Sequence, residues 1–166
     1  MLAYLFWHRP APDAAEYERR LAGFHERLRA DPPPGFVKSV VFAVDVPWMG
    51  QSYEDWYVVE DWTALGVLNA SAVDSSHRPE HDAVARDAAK GAGGVFRFLE
   101  GELALEDVGA AGWSARRPEV PEGVPYALWQ RQMVLGPAPE WCLLTHTQGD
   151  VSRLVHPATQ PIDHEL

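Results

Sequence analysis

The hydrophobic pattern divides the first hundred residues into a short series of elements. Leu2 to His8 (LAYLFWH) reads as a strand with apolar residues on both faces, ended by Pro10 and Pro12. Tyr17, Leu21, Phe24 and Leu28 recur at helical spacing and predict an amphipathic helix over 14–30. Asp13 and Glu16 have the D-x-x-E spacing of a capping box at its start, and Asp31-Pro32-Pro33-Pro34-Gly35 breaks it. Phe36 to Val46 predicts a second strand, 47–52 a turn, and 54–60 a third strand centred on Trp56, Tyr57, Val58 and Val59. Trp62, Leu65, Leu68 and Ala72 then follow helical spacing, with Asp61 or Thr63 as cap. The pattern falters at Asp74–Ser76. A second helical part is expected from there to Lys90, with Ser76 as cap, Pro79 in the first turn and Gly91 as the stop. Gly91 to Gly94 reads as a return loop, and Val95 to Leu105 as the fourth strand.

The order is β-α-β-β-α-β, which predicts an α+β, ferredoxin-like fold with a four-stranded antiparallel sheet over residues 1–106. One detail sharpens this expectation. Leu2–Trp7 and Val40–Val44 do not alternate apolar with polar, as strands with one wet face should. Both faces of the sheet need cover, and two helices cover one. A second subunit's sheet would cover the other, so a homodimer is expected.

Residues 107–166 form an extension of different composition. Residues 109–125 are rich in Gly, Ala and Pro and read as a linker or long loop. Residues 126–135 and 141–146 read as a β-hairpin packed on the domain. The stretch 157–166 reads as a polar tail.

Charge and composition narrow the function. Of 166 residues, 46% are hydrophobic and 23% charged, ordinary values for a globular chain. The net charge of −10 argues against nucleic acid, whose phosphates demand a basic face, and against an anionic membrane surface. No apolar run approaches the ~20 residues that span a bilayer, and no secretory leader is apparent, so a cytoplasmic location is expected. The single cysteine, Cys142, permits no internal disulfide and reads as a buried thiol.

No nucleophile elbow, phosphate loop or dinucleotide fingerprint is present. The candidates for chemistry are His77 and His81, which share a helix face at i and i+4. Near a helix start the dipole favours a neutral imidazole able to accept a proton. Packing and capping roles for the pair stay open beside the catalytic one. A third metal ligand is not apparent, so no metal or cofactor is expected. His8 shares a strand face with Tyr4 and Phe6. His25, flanking the apolar face of the first helix, reads as a surface residue. Trp7, His8, Tyr57 and Trp62 are the expected ligand-binding residues of an apolar pocket. Trp48, in the Pro47–Gly50 turn, suggests a lid or contact surface.

The element order, the E-x-W at Glu60 and Trp62, and the S-H-x-x-E-H run at Ser76–His81 resemble the dimeric α+β barrel superfamily. That group includes antibiotic-biosynthesis monooxygenase-like, EthD-like, NIPSNAP-like and stress-responsive barrel proteins. The resemblance covers residues 2–105. It implies a homodimer whose two sheets close a barrel, with a small apolar or aromatic molecule bound in each protomer. Cofactor-independent, monooxygenase-like oxidation is one activity it implies. A non-enzymatic stress or binding dimer, and a haem-binding relative with His77 as axial ligand, stand as alternatives, and whether any reaction is catalysed is left open.

Overall fold

A computed structural model of the chain describes residues 1–10, 14–133 and 136–146. The elements are β1 (Leu2–Pro10), α1 (Ala14–Ala30), β2 (Phe36–Val46), β3 (Gly50–Val59), α2 (Trp62–Asp74), α3 (Arg78–Ala85), β4 (Ala88–Gly101), β5 (Ala110–Ser114), β6 (Tyr126–Arg131) and β7 (Trp141–Thr145). A 3₁₀ turn at Leu105–Asp107 precedes β5. Asp13 of the expected capping box, His156, His164 and the tail from 157 lie outside the described residues.

The fold corrects the four-stranded, ferredoxin-like expectation. All seven strands form one antiparallel, curled sheet in the order β2-β3-β1-β4-β6-β7-β5. The sheet does not stop at β4, because β6 pairs along it from Phe96↔Arg131 to Gly101↔Ala127. The expected hairpin is β6 and β7, which pair from Tyr126↔Thr145 to Gln130↔Trp141. The expected linker is not uniform loop: Ala110–Ser114 within it is β5, paired with β7.

This extra half of the sheet answers the question raised by the two-faced strands. One face of β1–β4 packs against the helices, through Tyr17, Leu21, Phe24 and Leu28 of α1 and Ala64, Leu68 and Ala72 of α2. The other face holds Leu5, Trp7, Phe42, Trp56 and Phe96, and it shares a continuous core with Ala111, Trp129, Cys142 and Leu144 of β5–β7. Trp56 on β3 meets Trp129 on β6 edge-on at 5.3 Å between ring centres, although two strands separate them in the sheet. Contact across that span requires the sheet to curl over itself. The face assigned from the sequence to a second subunit is therefore filled by the same chain, and the packing argument for a homodimer falls away. Trp48 is no lid: it packs edge-on against Trp7 and Trp113 at 5.3 and 5.2 Å, at one end of this core.

Helix α1 has the bounds that its apolar spacing predicts. Asp61 caps α2, its Oδ1 accepting from Ala64 N at 2.9 Å. His77, not Ser76, occupies the cap position of α3, with Pro79 in the first turn. The second helix ends at Ala85, short of the expected Lys90, and β4 begins at Ala88, so Gly91, Gly93 and Gly94 lie within a strand rather than a loop. The reason is close packing. A Cβ at Gly91 would sit 2.5 Å from Phe6 Cζ, and one at Gly93 would sit 2.7 Å from the Tyr4 hydroxyl. Glycine is the residue that lets the β1 rings lie across β4. Among the described residues, no helix is long and apolar enough to cross a membrane.

Candidate functional site

Between the sheet and the helices lies a cleft of about 800 Å³. The β1–β3 register builds its floor. Tyr4 stands opposite Tyr57, Phe6 opposite Asp55 and His8 opposite Tyr53, so these six share the helix-side face of the sheet. Tyr4, Phe6, Asp55 and Tyr57 line the cleft. Helix α1 adds Tyr17 and Phe24, α2 adds Trp62 and Leu65, and α3 adds His81 and Val84. Trp62 is 47% exposed, so its ring belongs to the mouth rather than the floor. Tyr4 stacks with Phe6 and with Tyr57, each at 6.2 Å between centres, forming a row of rings.

One buried acid organises the polar part of the floor. Asp55 is 2% exposed. Its Oδ2 accepts from the Tyr57 hydroxyl at 2.9 Å and lies 3.0 Å from His8 Nε2. His8 Nδ1 in turn meets the Tyr17 hydroxyl. Behind Tyr57, the His25 ring stacks at 5.1 Å, with Nε2 3.3 Å from the Tyr57 hydroxyl and Nδ1 2.7 Å from Ser39 Oγ. The polar chain thus runs from the cleft floor to Ser39, which lines a second groove of about 510 Å³ between α1 and β2. His25 is buried, in contrast to the surface position expected from its place on the helix.

The charges follow from these neighbours. Burial acts to raise the Asp55 carboxyl, but the charges of His8 and His25 reverse that and hold it well below the usual carboxylate range. Burial, and then the negative charge of Asp55, push the Tyr4, Tyr17 and Tyr57 hydroxyls above the ordinary phenol value. The floor is therefore one carboxylate ringed by phenols that stay protonated as donors.

The residue beside it behaves in the opposite way. Glu54 points to the other face, where Trp7 Nε1 and Trp56 Nε1 each donate to one of its oxygens, the latter at 2.7 Å. Burial raises its carboxyl to about 7, against the pull of those two indoles. Cys142 lies fully buried in that same core, its thiol pushed up by burial and then by Glu54.

The sequence-expected residues divide between these places. Tyr57 and Trp62 line the cleft, and so does His81, half-buried with Nδ1 3.3 Å from Asp82 Oδ1. His8 sits directly behind the cleft, fully buried, and reaches it through Tyr17 and Asp55. Trp7 is on the far side of the sheet, bound to Glu54. His77 is buried away from the cleft lining, its Nδ1 held by Ser71 and Ser76, so it does not join His81 at one site. Sequence reasoning missed Asp55, Tyr17 and Glu54. The signal for the two acids was present: Glu54-Asp55 directly precedes the apolar and aromatic run Trp56–Val59 of the same strand, where a buried charge needs a specific partner.

The glycines of β4 give a direct test of how the floor is built. Gly93→Ala is expected to lower stability by about 1–3 kcal/mol, as an overpacked core does. Tyr4→Leu in the same chain removes the ring that the new methyl meets, so a urea double-mutant cycle should recover much of the loss. Additive losses would show that Gly93 is not there to admit Tyr4.

No protein-family model matches the chain, and no curated protein matches its sequence.

Proposed function

We propose that the protein binds a small apolar or aromatic molecule in the cleft between the sheet and α1–α3. The observation that carries this reading is the buried Asp55 carboxylate at the floor of an otherwise apolar, ring-lined cleft of about 800 Å³. That volume suits a molecule of two to four rings, within the ~300–1,000 Å³ of small-molecule sites. The rings of Tyr4, Phe6, Tyr57 and Phe24 supply contact area. Asp55, accepting from Tyr57 and facing His8, supplies one oriented polar anchor, a carboxylate that stays ionised. His81 at the rim is the group able to take or return a proton. Proton transfer to or from the bound molecule is the chemistry these residues fit; His77 is structural in this reading.

An uncharged fluorescent aromatic, N-phenyl-1-naphthylamine, tests occupancy. Its emission should rise on binding, at one probe per chain. Gly66, on α2, lines the cleft, and a Cβ there meets nothing within 4 Å, so Gly66→Trp adds an indole at the cleft without disturbing the core. That variant should bind the probe about tenfold more weakly, a difference of about 1.4 kcal/mol. Equal binding by the two chains would place the probe elsewhere and remove the reading.

A further inference from the structure

We infer that the open edge of β2 is a peptide-docking strand. An extended peptide with acidic side chains at its C-terminal end pairs antiparallel with residues 37–41, in the second groove, and sets its acids beside Arg29. This surface is distinct from the cleft and independent of what fills it.

The sheet order leaves β2 with one neighbour, β3. Half of its backbone N–H and C=O groups therefore point away from the sheet. Among the described residues, no backbone group of residues 37–41 finds a partner on that side. The groove of about 510 Å³ follows this edge, and every residue from Phe36 to Val41 lines it. Successive strand residues face opposite sides, so a hollow on one face would take every second residue. The contacts agree. Ser39 Oγ meets His25 Nδ1 of α1 on one side at 2.7 Å, and Lys38 Nζ meets Glu106 Oε1 of the 3₁₀ turn on the other at 2.9 Å. The groove is a slot along the strand edge, walled by α1 and by that turn. Little in β2 blocks pairing. No proline lies within Phe36–Val46, and the bulge is confined to Phe36/Lys38. A lysine commonly blunts an open edge, but Lys38 is drawn aside by Glu106 and the Leu103 carbonyl.

Charge selects the occupant. Arg29 and Lys38 line the slot against one acid, Glu106, which is already bonded to Lys38. Arg29 has no acidic partner among the described residues, whereas Arg27 in the same turn is paired with Asp31. An unpaired cation in a slot is a local reversal of sign on a chain of net charge −10, and it favours an acidic partner. Only residues 31–35 separate α1 from β2, so Arg29, in the last turn of α1, flanks the Phe36 end of the slot. An antiparallel strand runs toward that end, which brings its C-terminal residues to Arg29. Main-chain pairing gives such strand addition its affinity, and side-chain contacts give its selectivity.

Fluorescence anisotropy of the full chain with short fluorescein-labelled peptides tests this at physiological salt. One peptide alternates threonine and valine and closes on two glutamates. A second closes on two lysines instead, and a third is the first with its backbone nitrogens methylated. The glutamate peptide is expected to bind at least about fivefold more tightly than the lysine peptide, although the net charge of the chain alone would rank them the other way. The methylated peptide should lose binding, because it cannot donate to the strand edge. Arg29→Glu, a change at an exposed position, should reverse the ranking of the first two. Lysine and glutamate peptides bound alike, a methylated peptide bound as well as its parent, an unchanged ranking in Arg29→Glu, or no binding of the glutamate peptide would each overturn the assignment. Sedimentation of the chain without peptide gives one further outcome: a dimer that Val37→Asp dissociates would mean that a second copy takes this edge, and the peptide assignment falls.

Discussion

Asp55→Leu should cost roughly 3–5 kcal/mol of folding stability, the scale for breaking a buried, hydrogen-bonded charge pair by removing one partner. The leucine leaves the Tyr57 hydroxyl without its acceptor and His8 Nε2 without the carboxylate 3.0 Å from it, all three being buried. Urea unfolding should show a lower midpoint with an unchanged slope. Asp55→Asn isolates the charge. The folded carboxyl lies below its ordinary value of 3.8, so its contribution to stability is present above that pH and is lost as pH falls further. The unmodified chain should therefore lose stability progressively below about pH 4, and the gap between it and Asp55→Asn should close there. A gap of the same size at pH 3 and pH 7 would mean that the carboxylate charge contributes nothing.

Glu54 should give a pH dependence of the opposite sign. Its folded value is raised from 4.5 to about 7, so folding favours its protonated form. The stability tied to that proton is present below pH 4.5 and is lost as pH rises through 7. A shift of that size corresponds to roughly 3 kcal/mol between pH 4.5 and pH 8. Glu54→Gln carries no charge at either pH and still offers one indole an acceptor. Its urea midpoint should stay nearly level over that range while the unmodified chain's falls. Parallel curves for the two proteins would show that Glu54 stays charged in the folded state, its indole partners outweighing burial. Adjacent acids on one strand thus predict two separate limbs in one stability profile, because each faces a different core.

How much of this was legible in the sequence depends on how local the signal is. The α1 spacing of Tyr17, Leu21, Phe24 and Leu28 is set within one helix, and all four are buried where the pattern puts them. The two-faced character of β1 and β2 was also legible, and it correctly required cover on both sides. What supplied the cover was not. Trp129, Cys142 and Leu144 come from strands whose place in the sheet depends on pairings some thirty residues apart. Glycine was ambiguous for a related reason. Gly91 and Gly93 signal a loop or a close approach equally well, and only the rings of Phe6 and Tyr4, some eighty residues earlier, decide between them. The candidate site was harder still. Asp55 becomes a carboxylate anchor only because β1 brings His8 and α1 brings Tyr17 and His25 around it, and no spacing within β3 records that.

The lone thiol gives the molecule an internal clock. Cys142 is sealed in the core behind the sheet, and its deprotonation is suppressed, so a thiol-directed reagent finds nothing to attack while that core is shut. Modification has to wait for the strands around it to part. In excess reagent the rate of labelling becomes the rate at which the curled sheet opens, read from one atom without any engineered label. Because the cleft lies on the opposite side of the sheet, a tight occupant that slows this clock would reveal that the two compartments open together, and one that leaves it unchanged would reveal that they open apart.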